Sequence, residues 1–159
     1  MDKAEIKVLL VEDDDVDIRV VKREFAKHKL TNPIVVAHNG VEALEILRGT
    51  PEKPALEKPY HVLLDRNMPK MSVHDFLEEL RADPDLHHTI VFVLTTSNDQ
   101  ADRMAAYEKH AAGYLLKHDA GKVFSHHIPM FENFLASVQF PITMSTSTVP
   151  WELHPIEQF

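Results

Sequence analysis

Apolar residues along this chain gather into short continuous runs at Ile6–Val11, Ile34–Ala37, Val62–Leu64, Ile90–Leu94 and Tyr114–Leu116. Runs that are apolar on consecutive positions, rather than on alternate ones, mark strands covered on both faces of a parallel sheet. Between the runs the spacing changes to three and four. Ile18, Val21 and Phe25 form one helical stripe, Val41, Leu44 and Leu47 a second, and Val73, Phe76, Leu77 and Leu80 a third. A weaker fourth helix over 99–110 rests on Ala101, Met104 and Ala105, with Ala112 just beyond. Ser72-Val-His-Asp75 has the form of a capping box opening the third helix, with Asp in place of Glu or Gln. Residues 49–59, GTPEKPALEKP, hold three prolines and read as a loop. Neither internal repeats nor low-complexity tracts interrupt this order. The alternation predicts an α/β fold: a doubly wound five-stranded parallel sheet with helices on both faces and right-handed crossovers.

The fifth run is followed by one long helical pattern, KVFSHHIPMFENFLASVQF. Phe124, Ile128, Phe131, Leu135 and Val138 recur at four, three, four and three, a heptad-like stripe. Met130 and Phe134 lie off it, so the helix is apolar on more than one side: one side for the sheet, another for a partner. Pro129 is expected to kink or restart the helix. Residues 1–140 are expected to form one domain. Residues 141–159 would be a C-terminal arm carrying Trp151, Leu153, Ile156 and Phe159, too short for a separate output domain.

Composition narrows the function. At 159 residues, 44% hydrophobic and 26% charged, the chain suits a globular domain. A formal net charge of −8 disfavours non-specific binding to nucleic acid or anionic membrane. No apolar stretch approaches the roughly 18 residues of a membrane span, and the charged start MDKAEIKVLLVEDDD does not read as a signal peptide. With no cysteine, disulfides and thiolate metal sites are excluded, and a cytoplasmic protein is expected.

In open parallel sheets the ligand crevice lies beyond the carboxyl ends of the strands. The residues delivered there are Glu12-Asp13-Asp14-Asp15, Asp65, Thr95-Thr96-Ser97 and Lys117. Carboxylates converging in one cleft repel one another, and a hard divalent cation relieves that repulsion. An all-oxygen donor set points to magnesium, which keeps several waters and leaves positions for phosphate oxygens. Lys117 offers a point charge for a phosphoryl group and Thr95 a hydroxyl donor. These are the parts of a phosphoryl-transfer site, in which a central carboxylate, Asp65, can act as nucleophile and form an acyl phosphate. Asp14, Asp15 and Asp17 read instead as the acidic start of a helix. The pairs His87-His88 and His126-His127 read as surface residues rather than metal ligands.

The segments VLLVEDD at 8–14, VLLDRNMPKM at 62–71, VFVLTTS at 91–97 and GYLLK at 113–117 together resemble the response-regulator receiver domains of two-component signalling. The resemblance implies a CheY-like fold, phosphorylation of Asp65 by the phosphohistidine of a sensor histidine kinase, and a Mg2+ cofactor. It implies that Asp13 and Asp65 ligate the metal, Glu12 acts through water, and the backbone carbonyl of Asn67 completes the protein's contribution. Thr95 would bond the phosphoryl group, Lys117 would pair with it, and Tyr114 would switch inward with Thr95. Asn67 and Ser97 match positions that tune phosphoryl lifetime. The ending FENFLASVQFP resembles the arm of single-domain receivers paired with bacterial phytochrome kinases, which dimerise by exchanging C-terminal arms. A homodimer through Phe124, Ile128, Phe131, Phe134, Leu135 and Val138 is therefore expected, the alternative being a fifth helix and tail that fold on their own subunit.

Three positions depart from the family pattern. His118 stands where a proline usually follows the lysine, putting the shape of that loop in doubt. Val73 replaces a glycine, so its turn cannot use a conformation only glycine tolerates. Arg66 replaces an apolar residue beside the acceptor, where it either gates access or faces solvent. Three other functions share parts of this pattern. A flavin carrier would need a glycine- and hydroxyl-rich first loop, and this one is acidic. A haloacid-dehalogenase-like phosphatase would need a second Asp where Asn67 stands. The third is a pseudo-receiver that binds partners without phosphorylation.

Overall fold

A computed structural model describes residues 5–96, 99–116 and 122–141, with the side chains of 122–126 left out. In chain order the elements are β1 (Lys7–Val11), α1 (Asp15–Lys27), β2 (Ile34–Ala37), α2 (Gly40–Arg48), β3 (Tyr60–Asp65), α3 (Val73–Ala82), β4 (Val91–Thr95), α4 (Gln100–Glu108), β5 (Gly113–Leu116) and α5 (Lys122–Ser137). All strand pairs are parallel, in the order β2-β1-β3-β4-β5. The expected doubly wound sheet is what forms.

Alternation along the strands divides the core into two layers. Leu9, Val11, Val62, Leu64, Val91 and Val93 pack with residues of α2, α3 and α4. Val8, Leu10, Leu63, Phe92 and Leu94 pack with Ile18, Val21 and Phe25 of α1 and Ile128 and Phe131 of α5. The central strands β1, β3 and β4 are buried almost throughout, which is why they lack an alternating pattern.

Side chains cap the helix starts. Asp14 accepts from the backbone of Val16 and Asp17, Asn39 from Glu42, Ser72 from Asp75, and Asp99 from Ala101 and Asp102. Each cap follows a strand tip, so the turns that close the sheet's carboxyl edge are fixed locally. Val73 meets its departure from glycine without strain, because it is the first residue of α3 and buried. The left-handed position of that loop falls on Lys70, with φ of 71°. At the opposite edge Arg81 of α3 donates to the carbonyls of His87, Thr89, Lys109 and His110, each at 2.8 Å. One half-buried guanidinium thus ties α3 to the loop before β4 and to the end of α4.

The last helix departs from the expected division of its faces. Ile128 and Phe131 are wholly buried and Leu135 nearly so, all in the subunit's own core. Phe134 and Val138 are partly buried, and the side chain of Phe124 lies outside the described residues. The heptad-like stripe therefore serves the sheet, because a sheet face and a partner helix make the same demand for apolar side chains. Outside it, Met130 is 39% exposed.

β3 begins two residues before its apolar run, and this buries His61 completely. The ring stacks on Phe131 at 5.9 Å and meets Phe92, Phe134 and Phe140. Neither ring nitrogen has a hydrogen-bond partner among the described residues. Desolvation pushes its pKa down from 6.5 to about 4. The unfolded chain therefore binds a proton that the folded chain refuses between those values, and stability falls as pH drops from 6.5 toward 4. At about 1.36 kcal/mol per unit the loss reaches about 3 kcal/mol. His61→Leu should flatten that part of the stability curve in denaturant titrations from pH 7 to 4.5. An unchanged pH dependence would show that His61 does not set it.

Candidate functional site

The pairing of β1 with β3 ends on Val11 and Leu64, and that of β3 with β4 on Asp65 and Leu94. The next residue along β1 is Glu12, so the register delivers acids side by side at the carboxyl edge. Carboxylate oxygens of Glu12, Asp13 and Asp65 lie within 4.8 Å of one another. Glu12 and Asp65 are only 2% and 3% exposed, whereas Asp13 is open to solvent. Glu12 Oε1 accepts from the backbone N–H of Asp14 at 3.1 Å. Three carboxylates this close are costly without compensation, and an all-oxygen set of this size fits a hard divalent cation.

The other expected residues surround this cluster to different degrees. Thr95 closes β4, fully buried, one residue past the partner of Asp65. Asn67 is exposed and, with Asp13, lines a cleft of about 520 Å3. Tyr114 on β5 pairs in register with Val93 and packs on the α2, α3 and α4 layer. Its hydroxyl is buried without a hydrogen-bond partner among the described residues. Lys117, His118 and Ser97 lie outside the described residues. Asp14, Asp15 and Asp17 do open α1, with Asp14 as its cap.

The sequence leaves open whether Arg66 gates the site or faces solvent. Its backbone N–H donates to Leu94 O at 2.9 Å, and its guanidinium pairs with the Asp102 carboxylate on α4. Asp102 also lies 3.9 Å from Nε2 of His74 on α3. Asp102 and His74 carried no sequence signal as site residues, because three different elements must fold before they meet.

A parallel five-stranded sheet with an acid cluster at the tips of its central strands is the architecture of a phosphate-handling receiver. The chain belongs to the response regulator receiver domain family, which matches residues 8–127. It is similar to the response regulator Rcp1 of Synechocystis, 34% identical over 110 residues, 69% of this chain and 75% of that one. Among solved structures it resembles the phosphorylated cyanobacterial phytochrome response regulator RcpA, with a TM-score of 0.78 and 31% identity over 87% of this chain and 99% of that one. The Mn2+-bound form of Rcp1 is also similar, with a TM-score of 0.74 and 29% identity over 87% and 99%. The protein is thus a response-regulator receiver of two-component signalling, and a pseudo-receiver reading is not favoured. Among the described residues no helix is long and apolar enough to cross a membrane.

Repulsion within the cluster has a measurable consequence. In chelator, Asp13→Asn should raise stability by on the order of 1 kcal/mol, because one like charge leaves a partly screened site. That corresponds to a melting temperature higher by roughly 2–4 °C. An unchanged or lower melting temperature would show that the acids are already compensated by the protein.

Proposed function

We propose that this protein accepts a phosphoryl group on Asp65 from the phosphohistidine of a sensor histidine kinase. The observation that carries this reading is the packing of the buried Asp65 carboxylate against those of Glu12 and Asp13 at one sheet edge. A carboxylate oxygen of Asp65 attacks phosphorus, the P–O bond forms, the P–N bond to the kinase imidazole breaks, and the phosphoryl group becomes an acyl phosphate. Hydrolysis reverses the modification: water attacks the same phosphorus, the P–O bond to Asp65 breaks, and inorganic phosphate leaves the free carboxylate behind. In both steps the protein's contribution is positioning and charge neutralisation, so it assists its own phosphorylation and dephosphorylation.

Asp13 and Asp65, with Glu12 acting through water and the backbone carbonyl of Asn67, would hold a Mg2+ ion. When bound, the ion neutralises charge on the transferring oxygens. Thr95 bonds the phosphoryl group, Lys117 pairs with it, and Tyr114 follows Thr95 in the switched state. The similarity to phytochrome response regulators from cyanobacteria supports a phytochrome-type kinase as partner. The absence of cysteine fits a cytoplasmic protein, and the net charge of −8 supports action on other proteins rather than on nucleic acid or membrane.

Incubation with acetyl phosphate and Mg2+ should add the mass of one phosphoryl group to the intact protein, and Asp65→Asn should abolish the adduct. An adduct that survives in Asp65→Asn would move the acceptor elsewhere.

We further infer a homodimer built through the C-terminal helix and arm, with residues 1–140 as the receiver domain and 141–159 as arm. With Ile128, Phe131 and Leu135 committed to the core, its contacts fall on Met130, Phe134 and Val138 and on the arm. Sedimentation velocity should show the self-association state shifting when beryllofluoride occupies the site. Identical profiles with and without it would separate dimerisation from phosphorylation.

A further inference from the structure

Strand alternation sorts the groups at the sheet tip. Glu12 and Asp65 continue the face of Leu10 and Leu63, whereas Asp13 and Arg66 continue the face of Val11 and Leu64, toward α3 and α4. The cleft of about 520 Å3 lies on that second side, lined among others by Asp13, Asn67, His74 and Asp102. Arg66 also lines it, and its guanidinium meets Asp102 from α4. Asp102 is held in turn near His74 of α3 at 3.9 Å.

The bridge has rigid supports on both sides. The Arg66 backbone is bonded to Leu94 at the end of β4, and Asp102 sits in the first turn of α4 behind the Asp99 cap. The Arg66 and Asp102 side chains are 37% and 25% exposed, so the pair stands at the solvent boundary of the cleft and not in the core. Arg66 is therefore neither buried structure nor a freely solvated charge. With Asp102 it lines a cleft that Asp13 also lines, and the Asp13 carboxylate lies within 4.8 Å of that of Asp65.

We propose that the Arg66–Asp102 bridge is a gate which limits how readily small phosphodonors and attacking water reach Asp65, and so sets the lifetime of the phosphoryl group. This rests on the acceptor role given to Asp65 above. Arg66 acts through access and position, not by contact with the reacting atoms. Removing either partner opens the same wall, so the two changes should act in the same direction and should not add.

The test measures phosphorylation by acetyl phosphate with Mg2+, and then phosphoryl decay after donor removal, in wild type, Arg66→Ala, Asp102→Asn and the double variant. Each single variant should speed both processes by about two- to fivefold, the range a half-exposed ion pair can control. The double variant should match the singles, and the charge-swapped Arg66→Asp/Asp102→Arg protein should return toward wild type. A pair that only stabilised the fold would change the melting temperature and leave both rates as they are. Unchanged rates, opposite signs for the two singles, or additive effects overturn the gate while leaving the acceptor assignment intact. Failure of the wild-type protein to take up phosphoryl at all overturns both.

Discussion

Two carboxylates withdrawn almost wholly from water, with a third beside them, are the constraint around which this molecule is organised. Ionised acids are stable in such a place only if their separation is held and a countercharge or donor is supplied. The parallel register of β1 and β3 holds the separation, since Val11 and Leu64 end the pairing side by side and Glu12 and Asp65 are the residues nearest that end. One donor to Glu12 is the backbone N–H of Asp14, the residue that also caps α1. Strand end, cap and acid cluster are thus one local structure.

A sheet buried on both faces has no polar alternation to fix its register, and a slip of one residue would exchange the faces of every side chain. Here the polar residues at the strand ends and the volumes of the core residues do that work. Glu12, Asp65 and Thr95 mark the carboxyl edge, and capped helix starts follow β1, β2, β3 and β4. At the other edge the Arg81 guanidinium binds four carbonyls from two segments and holds α3 and α4 in place. Asp102 reaches Arg66 from an α4 anchored in this way.

Much of the fold was legible because strand burial and helix amphipathicity are local properties of the chain. The apolar runs locate all five strands, and the errors fall at their ends. β3 starts at Tyr60 because a histidine can be buried in an aromatic surround, which a search for apolar runs does not anticipate. The acids and the threonine of the site were legible because each stands directly after such a run. The Arg66–Asp102 pair was not, since 36 residues separate its members and no local spacing relates them. The stripe on α5 was ambiguous for another reason: periodicity reveals that a face is apolar, not what covers it. Ile128 and Phe131 are covered by their own sheet.

That covering has a consequence for where the domain core ends. A neutral imidazole without hydrogen-bond partners persists only where water is excluded, because water would both solvate and protonate it. At His61 the exclusion comes from Phe92 on β4, Phe131 and Phe134 on α5, and Phe140 three residues past the end of that helix. Phe134 in turn meets Phe140 at 5.4 Å and Phe92 at 5.2 Å, so the rings form one cluster and not separate contacts. Phe140 therefore belongs to the layer between the sheet and α5. His61 lies four residues before Asp65 on β3, with Leu63 between them on the same face. A displacement of α5 that admitted water would expose the strand that carries Asp65, and the aromatic cluster resists that displacement.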